Sequence, residues 1–116
     1  MQYMLLIYNT EASMGSLTAD ERNAFMGEYG TYTEALRASG KFVAGDGLQP
    51  TATATSVRVR DGERLVTDGP FAETKEQLGG YYLIEAASLD EALEWAAKVP
   101  SARLGTIEVR PVMVYG

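Results

Sequence analysis

The chain has no cysteine and no histidine among its 116 residues. Without cysteine there is no disulfide, thiolate metal site or sulfur nucleophile. Without histidine the commonest metal ligand and the commonest general base near neutral pH are missing. A zinc centre, a Ser-His-Asp triad and a histidine-ligated haem are therefore excluded as chemistry carried by the chain's own side chains. Carboxylates, Tyr, Lys, Arg, Ser and Thr remain. Long apolar runs are lacking too: none approaches the roughly 18 residues that a membrane span requires, and the opening MQYMLLIYNT has neither a basic lead nor a small-residue cleavage site, so no leader is expected. The expected location is the cytoplasm.

Basic residues are the scarcer charge, 10 against 16 acidic ones, for a net charge of -6. Such a chain repels phosphate backbones, so nucleic acid is not an expected partner. Arg58, Arg60 and Arg64 are the one basic cluster, readable as a small anion site or, more simply, as the wet face of a strand. No P-loop or G-x-G-x-x-G occurs, and no cofactor is expected. The length fits one domain, residues 1–116, able to bury about two thirds of its unfolded surface.

Residues 2–8 form a strand-length apolar run, expected to be buried on both faces. A polar, glycine-containing loop follows to Leu17. Thr18 with Glu21 makes a capping box, from which a helix runs to Gly40 with Phe25, Tyr29, Tyr32 and Leu36 on one stripe. Gly27 and Gly30 weaken that helix or admit a close neighbour. A second strand, residues 41–47, closes on Gly45-Asp46-Gly47, two glycines that suggest a bulge or bend aiming Asp46, or else a plain turn. Residues 55–60 alternate strictly and meet Asp61-Gly62, so they form a hairpin with residues 64–67. Residues 80–86 make another strand. Ser88 and Glu91 form a second capping box for a helix with a buried stripe of Leu89, Ala92, Leu93, Ala96 and Val99, stopped by Pro100. Residues 106–115 are the last strand.

Apart from the hairpin the order is βαββαβ, the ferredoxin-like arrangement of the α+β class, with both helices on one face of the sheet. The first strand is apolar on both faces, and an uncovered apolar face marks an interface. The expectation is a homodimer whose two sheets face each other and enclose a pocket for a small molecule, with Tyr81, Glu85, Glu108 and Arg110 among its walls.

Residues 66–83, VTDGPFAETKEQLGGYYL, carry the densest chemistry. Asp68-Gly69-Pro70 is a turn, Phe71 needs a partner, and residues 72–76 have the length of one helical turn. Asp68, Glu73 and Glu76 are candidates to orient or deprotonate a small molecule, with Thr74 and Lys75 holding an anionic group; the same residues also describe a capped turn with a solvated helix end. A carboxylate cation site is a third reading, without the D-x-D-x-D frame of a calcium loop, and no metal is expected.

VTDGPFAETKEQLGGYYLIEA resembles the hallmark of the DGPF-type proteins of the YCII-related family, and MQYMLLIY, GDGLQP, TSVRVRDG, LDEALEWAAKVP and IEVRPV extend the resemblance along essentially the whole chain. The resemblance implies a dimeric α/β-barrel of ferredoxin-like subunits. It implies no settled activity. Related proteins are suspected of enzymatic work through a pocket His and Asp pair; with no histidine here that pair does not carry over, leaving Asp46 as the candidate acid and Tyr29 or Tyr32 near the place of the His. Some DGPF-type proteins accompany extracytoplasmic-function sigma factors, which implies a regulatory role. Two functions are thus expected: a small-molecule site with Asp68 and Asp46 as acid or base and Tyr29, Phe71, Lys75, Tyr81 and Arg110 as ligand contacts, or an interaction module that docks on a sigma-factor-related protein.

Overall fold

The structure, a computed structural model, describes residues 1–115. Strands β1 (Gln2–Asn9), β2 (Phe42–Gly47), β5 (Gln77–Glu85) and β6 (Thr106–Pro111) form one antiparallel sheet in the order β2-β5-β1-β6. Helices α2 (Ala19–Ala38) and α3 (Leu89–Ala97) pack on one face of it, and β3 (Thr55–Arg60) and β4 (Glu63–Asp68) form a separate hairpin. This is the βαββαβ ferredoxin-like order with an inserted hairpin.

Alternation along the strands decides which side chains face the helices. Tyr3, Leu5 and Ile7 of β1 and Tyr82 and Ile84 of β5 are buried against Tyr32 and Leu36 of α2 and Ala92 and Ala96 of α3. Met4, Leu6, Tyr8, Tyr81 and Leu83 look the other way and are half-buried. The helices begin where hydroxyls accept from free amides: Thr18 from Glu21 N–H, with Glu21 returning the bond to Thr18 N–H, and Ser88 from Glu91 N–H. Those bonds hold the Glu21 carboxyl below its usual range. At the second cap the reciprocal bond differs from the expected box. Glu91 accepts from Ala87 N–H and pairs with Lys41 at 2.8 Å, and Lys41 followed by Ala87 lowers its pKa.

The structure departs from the sequence reading in several places. The expected loop after β1 contains a short helix, α1 (Glu11–Gly15), capped by Thr10. Residues 72–76 are not a helical turn: Thr74 Oγ1 donates to Glu76 O and Gln77 Nε2 to Thr74 O, which closes an irregular loop and starts β5 at Gln77. Gly45 and Gly47 stay in register with β5; the irregularity in β2 falls between Phe42 and Ala44. Leu89 and Leu93 of α3 are exposed, because Ala92, Ala96 and Val99 already fill the contact with the sheet. The last strand ends at Pro111. Asp61 and Gly62 both take positive φ, 52° and 79°, as a two-residue hairpin turn demands.

The hairpin stands out as an arm. All its residues except the half-buried Ser56 are exposed, and it is tied to the body at its base, where Gly69 N–H donates to Ala54 O and Ser56 Oγ to Gly69 O. The Cα radius of gyration, 16.2 Å, accordingly exceeds the ~13 Å of a compact chain of this length. No helix among the described residues is long and apolar enough to cross a membrane.

Candidate functional site

A cavity of about 900 Å³ opens between α2 and the β2–β5 edge of the sheet. Its origin is the scarcity of side chains on that edge. Gly45, Gly47, Gly79 and Gly80 line the sheet side and Gly30 the helix side, so the two layers approach without filling the space between them. Two of the strand glycines also sit where a side chain would crowd its neighbours. A Cβ on Gly45 would come within 2.7 Å of the Tyr82 ring, and one on Gly80 within 3.0 Å of Asp46 O.

Aromatic rings supply the apolar wall. Phe25 and Tyr29 meet edge to face at 5.4 Å, and Phe42 and Tyr82 at 6.4 Å. Towards α1 the cavity is bounded by Glu11, Met14 and the loop through Pro50. Glu11 anchors that end: its carboxylate accepts from Thr51 N–H at 2.7 Å and Thr51 Oγ1 at 3.1 Å, while its N–H donates to Gln77 Oε1.

Polar groups reach the cavity at few points. Tyr29 lies 2.5 Å from Ser101 Oγ, to which Asn9 Nδ2 also donates at 3.2 Å. Burial raises the Tyr29 phenol above its ordinary pKa, the Ser101 bond opposing. Thr33 Oγ1 shares a hydrogen bond with the Tyr82 hydroxyl at 2.6 Å. Arg22 and Arg37 border the cavity towards its two ends, and neither has a carboxylate within ion-pair distance among the described residues. Arg37 lies over the Phe42 ring, 4.4 Å from its centre.

Of the residues singled out from the sequence, the structure gathers three at this cavity: Tyr29, Asp46 and Tyr81. Asp46 and Tyr81 are cross-strand partners, and the Tyr81 hydroxyl donates to Asp46 Oδ2 at 3.2 Å, a bond that raises the Tyr81 pKa. By alternation with Gly45 and Tyr82 this pair belongs to the uncovered sheet face, so it meets the cavity at the rim while Tyr29 stands inside. Tyr32 is elsewhere, buried in the core with its hydroxyl donating to Trp95 O. Asp68, Phe71 and Lys75 are exposed at the base of the arm, Phe71 at 78%. Arg110 is on the uncovered face, paired with Glu108. Glu76 accepts from Thr106 Oγ1 at 2.9 Å and so helps seat β6.

The cavity therefore lies on the helix side of the sheet, within one copy of the chain, whereas the sequence reading placed a pocket on the opposite side between two copies. Asn9, Ser101, Thr33, Arg22 and Arg37 escaped that reading. A signal for three of them exists: Arg22, Met26, Tyr29, Thr33 and Arg37 form a second stripe on α2 at spacings of four, three, four and four, mixed in polarity and flanking the apolar one.

A family profile described as the YCII-related domain matches residues 1–115. An uncharacterised protein from Rhizobium meliloti (strain 1021) is 41% identical over 117 residues, spanning 99% of this chain and 94% of that relative. Among solved structures, 5-chloro-2-hydroxyhydroquinone dehydrochlorinase from Burkholderia phenoliruptrix AC1100, in complex with 2,5-dihydroxybenzoquinone, is similar with a TM-score of 0.57 and 17% sequence identity over 97% of this chain and 94% of that one. At that identity the likeness is one of fold. The profile match and the Rhizobium relative together establish that the chain belongs to the YCII-related domain family.

Proposed function

We propose that the protein binds a small, largely apolar organic molecule in the cavity between α2 and the β2–β5 edge, with Tyr29 and Asp46 as its acid–base groups. The cavity carries the reading: its volume of about 900 Å³ is within the range of small-molecule sites, and it joins an aromatic wall to a few convergent polar groups. The dehydrochlorinase of similar fold is a complex with the single-ring molecule 2,5-dihydroxybenzoquinone, which is support from fold alone. A catalytic version of the reading needs a proton carrier, and Tyr29 inside and Asp46 at the rim are the groups on hand. The uncovered face of Met4, Leu6, Tyr8 and Leu83 joins two copies in this proposal, leaving each its own cavity.

Native mass spectrometry of gently purified protein tests both parts. A dimer with a retained small mass per protomer is expected, and Leu6→Glu should yield monomers that keep that mass. A monomeric wild type refutes the dimer. Failure of every ring compound in a fragment library to bind refutes the cavity reading.

The arm favours a second reading, an interaction or regulatory module. An isolated two-stranded hairpin is marginal in water, yet Val57 and Val66 form a cross-strand pair that is 61% and 58% exposed. Asp68, Phe71 and Lys75 at its base would then contact a partner, of which a sigma-factor-related protein is the candidate. Retention of the chain on an immobilised extracytoplasmic-function sigma factor, lost in Val57→Glu, supports this reading; equal retention of the variant removes the arm from it.

A further inference from the structure

The polar chain at the floor of the cavity fixes the direction of one hydrogen. Ser101 is 1% exposed, so its hydroxyl hydrogen has to be used within the protein. Among the described residues two side-chain groups are within bonding reach of Ser101 Oγ: the Asn9 amide, which donates to it, and the Tyr29 oxygen. With the Asn9 amide donating to Ser101, the Ser101 hydrogen goes to Tyr29, and Asn9 Oδ1 stays buried without a partner among the described residues. Tyr29 oxygen is thereby an acceptor, and its own hydrogen has no acceptor among the described residues. The order is Asn9 to Ser101 to Tyr29 to cavity.

We propose that this hydrogen selects the ligand: Tyr29 donates it to a carbonyl, phenolate or carboxylate oxygen of a ring-sized molecule lying against Phe25, Phe42 and Tyr82. The inference rests on the cavity being the ligand site and adds the ligand's chemical class, a cyclic compound with an acceptor oxygen. Two features make Tyr29 suited to the role. Burial raises its pKa, so the proton stays in place across the neutral range. Its edge-to-face contact with Phe25 and its place on α2 fix the ring before a ligand arrives. Ser101 and Asn9 are positioning residues that act through it. Their elements converge there because Ser101 lies in the 3-10 turn Pro100–Arg103, which follows α3, and Asn9 ends β1.

The test compares two probes of one shape, acetophenone and α-methylstyrene, which differ by a carbonyl oxygen against a methylene. Amide chemical-shift titrations of the full chain give both affinities, in wild type and in Tyr29→Phe, which keeps the aromatic contact and removes the donor. The affinity ratio of acetophenone to α-methylstyrene is expected to fall about fivefold in Tyr29→Phe, the loss of one neutral hydrogen bond. Asn9→Asp serves as a second variant and covers a failure of Tyr29→Phe to fold. A carboxylate at position 9 takes the Ser101 hydrogen, Tyr29 then donates to Ser101, and the same fall in ratio is expected with the phenol still present. An unchanged ratio in a folded variant overturns the proposal and leaves the cavity reading standing. Binding of neither probe to wild type overturns both.

Discussion

Substitution at Gly30 separates the stability of α2 from the occupancy of the cavity. Gly30 sits in the middle of a 20-residue helix, is exposed, and borders the cavity. A Cβ built on it meets nothing within 4 Å, so Gly30→Ala carries no steric cost. A glycine in an exposed helix interior is about 1 kcal/mol less favourable than alanine, and for a chain of this length that corresponds to roughly 4 °C in Tm. Gly30→Ala should therefore stabilise by about 1 kcal/mol. Gly30→Leu should retain most of that gain, because leucine is nearly as good a helix former, while its side chain enters the space a ligand needs. Acetophenone affinity should then drop at least about tenfold, the effect of losing roughly 1.4 kcal/mol of contact. Gly27→Ala is the control: a Cβ there also meets nothing within 4 Å, but the residue faces a shallow depression beside Trp95 and Lys98 rather than the cavity. It should stabilise equally and leave binding unchanged. Urea unfolding followed by the single tryptophan, Trp95, which packs edge to face on Tyr32, gives the stabilities. If Gly30→Leu is destabilised, or binds the probe like wild type, the space beside α2 is not as described.

Three further outcomes follow from the core, a cap and the buried phenols. Leu36→Ala removes a side chain with 0% exposure from the α2–sheet contact and should cost about 3 kcal/mol in urea unfolding. Ser88→Ala removes the α3 cap and should cost about 1 kcal/mol, while Ser88→Asp should restore it. Tyr29 and Tyr32 both titrate above their ordinary value of 10.0, mainly through burial. Above pH 10 the unfolded chain releases phenolic protons that the folded chain keeps, so this stabilisation is complete below pH 10 and is lost as pH rises through the folded values. Urea midpoints below and above pH 10 should show the decline, and Tyr29→Phe should make it shallower.

The alternation in β1, the Thr18 and Ser88 caps and the Asp61-Gly62 turn were readable because each is a local pattern with a local physical cause. From them the ferredoxin-like order follows almost without tertiary information. α1 was missed because its five residues carry no apolar stripe; it is held by the Thr10 cap and by Glu11 bonds to Thr51 and Gln77, partners 40 and 66 residues away. Leu89 and Leu93 looked like core because periodicity gives a face and not its width. The cavity was illegible for a different reason. It is made by glycines on separate strands, and no sequence pattern shows that Gly30 will face Gly45 and Gly80. Ser101 likewise reads as an ordinary turn residue until the fold brings it to Tyr29. The DGPF stretch has a high density of chemistry, yet Thr74 and Gln77 close its loop into β5, Asp68, Glu73 and Lys75 are exposed, and its contribution to the cavity is the run from Gln77 to Tyr82.

An amide chemical-shift map on adding acetophenone tests the central claim most directly, because the proposed walls are rich in glycine, whose amide signals stand apart from the rest. The account predicts the largest shifts at Gly30, Gly45, Gly47, Gly79 and Gly80, with little change at Met4, Leu6 and Leu83 on the uncovered face. Shifts concentrated on Met4, Leu6 and Leu83, or no saturable shift at the five glycines, would contradict it.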